Sequence, residues 1–298
     1  MLKSTLRRGV LASVAVAVPA VLVLAGCSAS ASAPEPTAAA GAEAPLFSQL
    51  PTDVQKAGVI EVASNVEYPP FESFDTDGKT VIGIDRDIAD ELEKQLGVKL
   101  NFNHISFDAI IPGLTGDRYK LAMSAMSDTV ERQQQVDFLD YFNAGGSIML
   151  PPNTDGSVKT LADLCGKEAA VVQGTTEVDD AASASEKCVA DGKQPIKSTI
   201  YPGQSQAVLA VQNGRADAGL FDYTAASYVA AQSKAGLTVL PPYQAGPFGI
   251  VFPKNSALIP VFQKALVAVE KSGRYLEILK KYQQDGGAVT EFAINGTK

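Results

Sequence analysis

From Val59 onward, short runs rich in β-branched residues alternate with helical patterns along almost the whole chain. Residues 59–64, VIEVAS, are typical of a strand, whereas residues 84–96 place apolar side chains at helical spacing and stop before Gly97. This repeated order of strand and helix is typical of an α/β fold, in which helices cover the faces of a largely parallel sheet.

Proline pairs interrupt this alternation twice, at residues 151–152 and 241–242. The strand and helix pattern restarts after the first pair. After the second pair, a strand candidate at residues 246–253 leads into two further helical patterns. We therefore predict two α/β lobes, the second inserted into the first. The predicted bounds are 55–148 and 246–298 for lobe 1, and 149–245 for lobe 2.

Residues 1–26 have the pattern of an export signal: cationic side chains precede an apolar run of roughly fifteen residues. That run is short for a membrane span. Residues 24–27, Leu-Ala-Gly-Cys, resemble the lipobox of bacterial lipoproteins, which predicts cleavage before Cys27 and lipidation of Cys27; a plain signal peptide is the alternative. Residues 27–54 are predicted to be a flexible tether. The expected location is extracytoplasmic, lipid-anchored to the outer face of the bacterial cell membrane.

Charge and cysteine content narrow the function classes. Cleavage before Cys27 removes three cationic and no anionic side chains, so the formal net charge of −8 becomes −11. Such acidity argues against nucleic acid as a partner.

Cys165 and Cys188 are predicted to form a disulfide, with two free buried thiols as the alternative. His104 is the only histidine, so no metal cluster or catalytic triad can use a second one, and we predict neither a metal nor a cofactor.

One arginine lies just after a strand candidate that ends in small and hydroxyl side chains. Residues 121–127 read LAMSAMS, and we predict that a helix follows with Asp128 or Thr129 as its N-cap. Arg132 alone would be interpreted as a solvated charge on that helix. However, α/β proteins bind ligands at the carboxyl ends of their strands, and a guanidinium can hold a carboxylate through two parallel hydrogen bonds. Arg132 is therefore a candidate anion-binding residue.

Six segments occur in a characteristic order, namely ASNVEYPPFESFD (63–75), VIGIDRDIADELEKQLG (81–97), FDAIIPGL (107–114), MSAMSDTVERQQQVDF (123–138), VVQGTT (171–176) and NGRADAGLFD (213–222). Together they resemble the extracellular solute-binding proteins of family 3, which serve ABC importers for polar amino acids. The resemblance extends from about Val59 to Tyr282. It implies the periplasmic binding protein type II fold, in which two α/β lobes joined by two hinge crossovers close on one amino acid.

The resemblance also implies individual roles. Arg132 would hold the α-carboxylate of the ligand, and Asp222 would hold its α-ammonium group. Tyr68 and Phe107 would pack on either side of the aliphatic part. The remaining implied ligand-binding residues, which assist these groups or line the cleft, are Ser127, Thr176, Ala125, Asn65, Ser124, Val172 and Thr175.

Several of these residues also have ordinary structural explanations. Asp222 is a candidate N-cap for a helix that begins at Tyr223, and Tyr68 and Phe107 are candidate packing residues. Two positions depart from the family pattern. Lys120 replaces a usual aspartate, which puts the ion pairing of its loop in doubt. Asn65 replaces a carboxylate found in several cation-preferring members, which disfavours a cationic ligand, although the nearby acidic residues 67 and 72 can reverse that inference.

We predict a monomeric substrate-binding lipoprotein that captures a free polar amino acid and delivers it to the permease subunits of an ABC importer. A sensory receptor without transport is one alternative. A dehydratase or lyase on the same fold is another, but we find no further cleft carboxylate to act as its acid or base, so we predict no enzyme activity. Residues 295–297, Asn-Gly-Thr, match a glycosylation sequon, which we interpret as a chance match.

Overall fold

The computed structural model describes residues 41–298. The predicted signal peptide, Cys27 and the first part of the predicted tether lie outside the described residues. Between residues 41 and 298, no helix has the length and apolar character needed to cross a lipid bilayer.

Strands and helices alternate along the described chain. The strands are β1 (Val59–Ser64), β2 (Glu67–Tyr68), β3 (Glu72–Phe74), β4 (Val81–Ile82), β5 (Lys99–His104), β6 (Leu121–Ser127), β7 (Val136–Ala144), β8 (Gly146–Leu150), β9 (Glu168–Val172), β10 (Lys197–Tyr201), β11 (Ala218–Asp222), β12 (Thr238–Val239) and β13 (Gly246–Pro253). The helices are α1 (Thr52–Ala57), α2 (Ile84–Leu96), α3 (Ile110–Thr115), α4 (Thr176–Ala190), α5 (Gln204–Gln212), α6 (Tyr223–Gln232), α7 (Ile259–Lys271) and α8 (Arg274–Lys281).

The first lobe is built on a sheet of strand order β5-β1-β6-β13-β7. Strands β5, β1 and β6 are parallel, and β13 runs antiparallel to both of its neighbours. One apolar core, with side chains from α2, α7 and α8, covers one face, and a second core with α3 covers the other. Because both faces are covered, β6 is buried at every position except Ser127, which explains its unbroken run of small and apolar side chains.

The second lobe repeats this layered arrangement with a sheet of order β10-β9-β11-β8-β12. Helix α4 packs on one face, and α5 and α6 pack on the other. A disulfide joins Cys165, in the loop before β9, to Cys188 of α4, with their Cα atoms 5.6 Å apart. The predicted disulfide is confirmed, as is the two-lobed α/β architecture.

The structure differs from the predicted bounds at two places. The chain leaves the first lobe at Gly145, earlier than predicted, because β8 already pairs with β11 in the second sheet. The predicted tether also extends too far, since Phe47 and Leu50 are buried in the core of the first lobe. The second crossover, residues 240–245, lies between β12 and β13.

Candidate functional site

The carboxyl ends of the parallel strands of both lobes meet at one cavity, the position at which α/β sheets present ligand-binding groups. All of the predicted ligand-binding residues line it: Asn65, Tyr68, Phe107, Ser124, Ala125, Ser127, Arg132, Val172, Thr175, Thr176 and Asp222. The prediction that these side chains contact a ligand stays a prediction. Glu177, Gln204, Leu220 and Phe221, which the sequence analysis missed, complete the lining.

Arg132 lies on a single 3-10 turn, Arg132–Gln134, and not on the α-helix that we predicted. The Thr129 hydroxyl accepts a hydrogen bond from the Arg132 backbone N–H at 3.2 Å. Of the two residues predicted as a possible N-cap, Thr129 makes this bond, whereas the Asp128 carboxylate instead accepts a bond from the Gln133 side chain at 2.7 Å. The predicted α-helix is wrong, because residues 132–134 form only a 3-10 turn. The hydrogen bond to the Thr129 hydroxyl nevertheless holds the start of that turn.

The Arg132 guanidinium reaches across the cleft. One terminal nitrogen donates to the Ser127 carbonyl at 2.8 Å, and the other donates to the Gly174 carbonyl of the opposite lobe at 2.9 Å. The group also lies 5.7 Å from the centre of the Phe107 ring. Burial lowers the pKa of Arg132. Both hydrogen-bond partners are neutral carbonyls, so the positive charge of this half-buried group is not neutralised. Its remaining N–H donors can therefore bind an anion.

Asp222 lies on the opposite lobe, at the end of β11. Its backbone occupies the N-cap position of α6, but its side chain makes no capping bond. The carboxylate instead accepts a hydrogen bond from the Tyr68 hydroxyl of the first lobe at 2.5 Å. Desolvation, reinforced by the negative charge of Glu177, raises the pKa of Asp222 well above its usual value. A cation in the cavity would offset that unfavourable burial of charge.

Residues of the first lobe are tied to a buried acidic pair behind the cavity. The Ser124 hydroxyl donates to Glu72 at 3.0 Å and accepts the backbone N–H of Asn65 at 2.9 Å. Ala125, whose φ of +44° is rare for a residue with a side chain, donates its N–H to Asp85 at 3.4 Å. Burial raises the pKa of Asp85 to about 6 and that of Glu72 well above normal. These bonds fix the floor of the cavity.

Helix α4 directs its first turn at the cavity from the second lobe. Thr175 occupies the N-cap position, and its hydroxyl donates to the Val172 carbonyl at 2.9 Å. The N–H groups of Thr176 and Glu177, the first two residues of the helix, have no partners within it. Such a helix N-terminus favours an anionic group.

Glu177 and Gln204 are each only 3% exposed. Within residues 41–298, one carboxylate oxygen of Glu177 and both amide atoms of Gln204 lack hydrogen-bond partners, and desolvation raises the pKa of Glu177. Both residues occupy the first turn of a helix that follows a parallel strand, and this position is the signal that sequence reasoning had available. Glu177 also corrects our expectation that the cleft holds no further carboxylate.

Two residues singled out in the sequence lie away from this cavity. Lys120 forms an ion pair with Asp117 at 2.8 Å. The loop therefore has an ion pair even though Lys120 replaces the aspartate usual in the family. His104 ends β5, and its Nδ1 accepts the backbone N–H of Val66 at 3.0 Å. In the described part of the chain, no three His, Cys, Asp or Glu side chains come together as a metal site.

Comparison with known proteins identifies the family. The sequence model of the bacterial extracellular solute-binding proteins, family 3, matches residues 60–285. The arginine-binding protein ArgT of Corynebacterium glutamicum is 30% identical over 251 residues, which cover 83% of this chain and 82% of that relative. ABC transporter arginine-binding protein 1 of Escherichia coli strain K12 is 29% identical over 242 residues, covering 79% and 95%.

A solved structure supports the same assignment. An ancestral arginine-binding protein bound to arginine has a TM-score of 0.70 and 32% sequence identity, over 76% of this chain and 98% of that one. The shared two-lobed architecture is that of the type II periplasmic amino-acid-binding proteins. This chain therefore belongs to the bacterial extracellular solute-binding proteins of family 3.

Proposed function

We propose that this protein captures a free α-amino acid with a cationic side chain between its lobes and delivers it to the permease subunits of an ABC importer. The observation that carries the proposal is the convergence of Arg132 from one lobe and Asp222 from the other on a single cavity. Arg132 binds the α-carboxylate, and Asp222 binds the α-ammonium group.

The physical reason is the charge of the ligand. A zwitterion loses hydration at both ends when it enters the cavity, and each buried charge then requires a charged, hydrogen-bonded partner. The carboxylate is further stabilised by the N–H groups at Thr176, and the ammonium group by the Ser127 hydroxyl and the carbonyl of Ala125. Tyr68 and Phe107 provide apolar contact for the side chain, while Asn65, Ser124, Val172 and Thr175 line the rest of the cavity.

The charges that line the cavity favour a cationic side chain. Arg132 contributes one positive charge, whereas Asp222 and Glu177 contribute two potential negative charges. The two charges of a zwitterionic ligand pair with Arg132 and Asp222 and leave Glu177 without a partner, so a positively charged side chain on the ligand completes the balance. Glu177 thereby supplies a carboxylate that Asn65 does not. Two relatives named as arginine-binding proteins support the same ligand class.

Contacts between the lobes connect ligand binding to lobe closure. The Gln173 side chain of the second lobe donates to Asp108 of the first at 2.7 Å, alongside the bonds of Arg132 to Gly174 and of Tyr68 to Asp222. A ligand that contacts both lobes has higher affinity for the closed arrangement and therefore increases its population. The permease then recognises the closed form.

The protein acts as an extracytoplasmic monomer, anchored to the outer face of the cell membrane through lipidated Cys27, and releases its ligand chemically unchanged. A dehydratase or lyase needs an acid or base in the cleft, and Glu177 is such a group. The binding test therefore includes analysis of the recovered ligand.

Isothermal titration calorimetry against the twenty amino acids, ornithine and citrulline tests the proposal. We expect arginine, lysine or ornithine to bind with micromolar or lower Kd, equivalent to about −8 kcal/mol or better. Citrulline is a matched control, because it nearly has the shape of arginine but carries no side-chain charge. We expect it to bind at least about tenfold more weakly, which is ~1.4 kcal/mol.

Three results would contradict parts of the proposal. Tighter binding of citrulline than of arginine would refute the cationic preference, and no binding of any amino acid would refute the receptor function. A reaction product in the recovered ligand would indicate an enzyme. Uptake of radiolabelled ligand, lost on deletion of the gene and restored by its return, tests delivery to the importer.

A further inference from the structure

A segment distant in sequence from the site lies along the edge of the first sheet. The Asp140 N–H donates to the Ala293 carbonyl at 2.8 Å, and the Asn295 N–H donates to the Phe138 carbonyl at 3.1 Å. The Asn295 side chain adds a bond from the Phe138 N–H at 2.8 Å. Residues 293–295 therefore cover part of the edge strand β7.

The next residue, Gly296, lies close to the carboxylate of Asp140. The Gly296 N–H donates to Asp140 at 3.1 Å, and a Cβ on Gly296 would lie 2.3 Å from the same carboxylate oxygen. Only glycine therefore fits this close approach. Residues 295–297 are the sequon-like motif that we interpreted as a chance match, and its residue types have a structural explanation here.

Thr297 makes several contacts with the turn that carries Arg132. Its hydroxyl donates to the Asp128 carbonyl at 2.9 Å, and its N–H donates to the Asp128 carboxylate at 3.1 Å. Its carbonyl accepts a bond from the Gln133 side chain at 3.0 Å. Since Asp128 is only 3% exposed, these bonds satisfy polar groups that water reaches poorly.

Asp128 stands between the two groups that hold Arg132. The carbonyl of the preceding residue, Ser127, accepts a hydrogen bond from the Arg132 guanidinium. The hydroxyl of the following residue, Thr129, accepts a hydrogen bond from the Arg132 backbone N–H. A displacement of Asp128 therefore changes both anchors of the arginine. Small displacements matter, because a bidentate grip on a carboxylate requires correct orientation.

We propose that Thr297 is a positioning residue for ligand binding: its hydroxyl holds Asp128 so that the turn directs Arg132 at the ligand carboxylate. This inference rests on the proposed function. Neither Thr297 nor the segment before it lines the cavity that contains Arg132. Thr297 lines an adjoining cavity with Ser127 and Asp222. Its hydrogen bonds to Asp128 connect it to the turn that carries Arg132.

The test compares Thr297→Val, Thr297→Ser and Thr199→Val in otherwise unmodified protein. Valine removes the hydroxyl while retaining the shape of threonine, and serine keeps the hydroxyl. Thr199 is a matched control, since its hydroxyl bonds to Glu168 in the second lobe, outside the cavity. Calorimetry with arginine measures Kd, and thermal unfolding without ligand measures Tm.

We expect Thr297→Val to weaken arginine binding about fivefold, the effect of one hydrogen bond of ~1 kcal/mol. Thr297→Ser and Thr199→Val should keep Kd within about twofold of the unmodified protein, a range below ~0.5 kcal/mol. In an Arg132→Lys background, the added Thr297→Val change should have a smaller effect on Kd, because the lysine ammonium group cannot make the bidentate grip that the turn orients.

An unchanged Kd for Thr297→Val, or full additivity with Arg132→Lys, would overturn this inference while leaving the proposed function intact. A lowered Tm with unchanged Kd would assign Thr297 a structural role only. If the unmodified protein binds no amino acid, the proposed function fails and this inference fails with it. Gly296→Ala provides a second variant, for which we expect weaker binding because its Cβ displaces the segment.

Discussion

Replacement of Arg132 by alanine should almost abolish amino-acid binding. In the structure, the guanidinium makes hydrogen bonds only to the carbonyls of Ser127 and Gly174 among the described residues, so its charge is available to the ligand. Loss of one member of a buried, charged hydrogen-bonded pair costs about 2–5 kcal/mol. We therefore expect Kd to rise roughly 30-fold to 5,000-fold.

The same change should have little effect on the fold. The variant loses two bonds to neutral carbonyls, worth about 1 kcal/mol each, but it also no longer buries a cation without an anionic partner. We expect the Tm without ligand to change by less than about 3 °C, since ~1 kcal/mol corresponds to ~2–4 °C in a protein of this size.

Calorimetry and thermal unfolding together provide the assay. At a ligand concentration of about 100 times the Kd of the unmodified protein, binding stabilises that protein by ~2.7 kcal/mol, whereas Arg132→Ala should gain less than ~1 kcal/mol. Arg118→Ala is the matched control, because Arg118 is exposed and lies outside the cavity. If Arg132→Ala binds within about threefold of the unmodified protein, a difference below ~0.7 kcal/mol, the carboxylate assignment is incorrect.

Three further changes test other parts of the account. Glu177→Gln should weaken arginine binding about tenfold or more, ~1.4 kcal/mol, but leave citrulline nearly unaffected, as calorimetry can measure. Serine at both Cys165 and Cys188 should lower Tm by ~6–12 °C, because their disulfide spans 23 positions and a loop of that size contributes ~3 kcal/mol, at ~2–4 °C per kcal/mol; a reducing agent should bring the unmodified protein to the same value. Burial, reinforced by the charge of Asp128, raises the pKa of Asp140 to about 7, above ~3.9 in the unfolded chain. The folded state therefore binds the extra proton and loses stability as pH rises from about 4 to 7, so Asp140→Asn should reduce the fall in Tm across that range.

The sequence predicted the parts of the site that depend on strand ends. Arg132 follows β6, Thr176 follows β9, and Asp222 ends β11, so their common location follows from the topology of α/β sheets. The resemblance to family 3 then provided the individual roles. Glu177 and Gln204 were missed because an acidic or amide residue in a first helical turn has an ordinary explanation, and only the packed lobes show which side of the helix faces the cavity.

One incorrect detail depends on a contact between distant residues. Local pattern made Asp128 a good N-cap, yet Thr297 and Gln133 occupy its carboxylate, and the following turn ends at Gln134. The contact of Thr297 with Asp128 has no signature within a short window of sequence.

The bound of the predicted tether was a different error. Residues 28–45 have no apolar periodicity. However, the spacing of Phe47, Leu50 and Val54, which lie in the core of the first lobe, was a local signal that the prediction of a tether to residue 54 overlooked.

A crystal structure of the protein bound to arginine would examine the ligand grip most directly. We expect the α-carboxylate to accept two hydrogen bonds of about 2.8 Å from Arg132, and the α-ammonium group to donate to Asp222 at a similar distance. An amino acid bound in the reverse orientation, or bound outside the cavity between the lobes, would contradict the account.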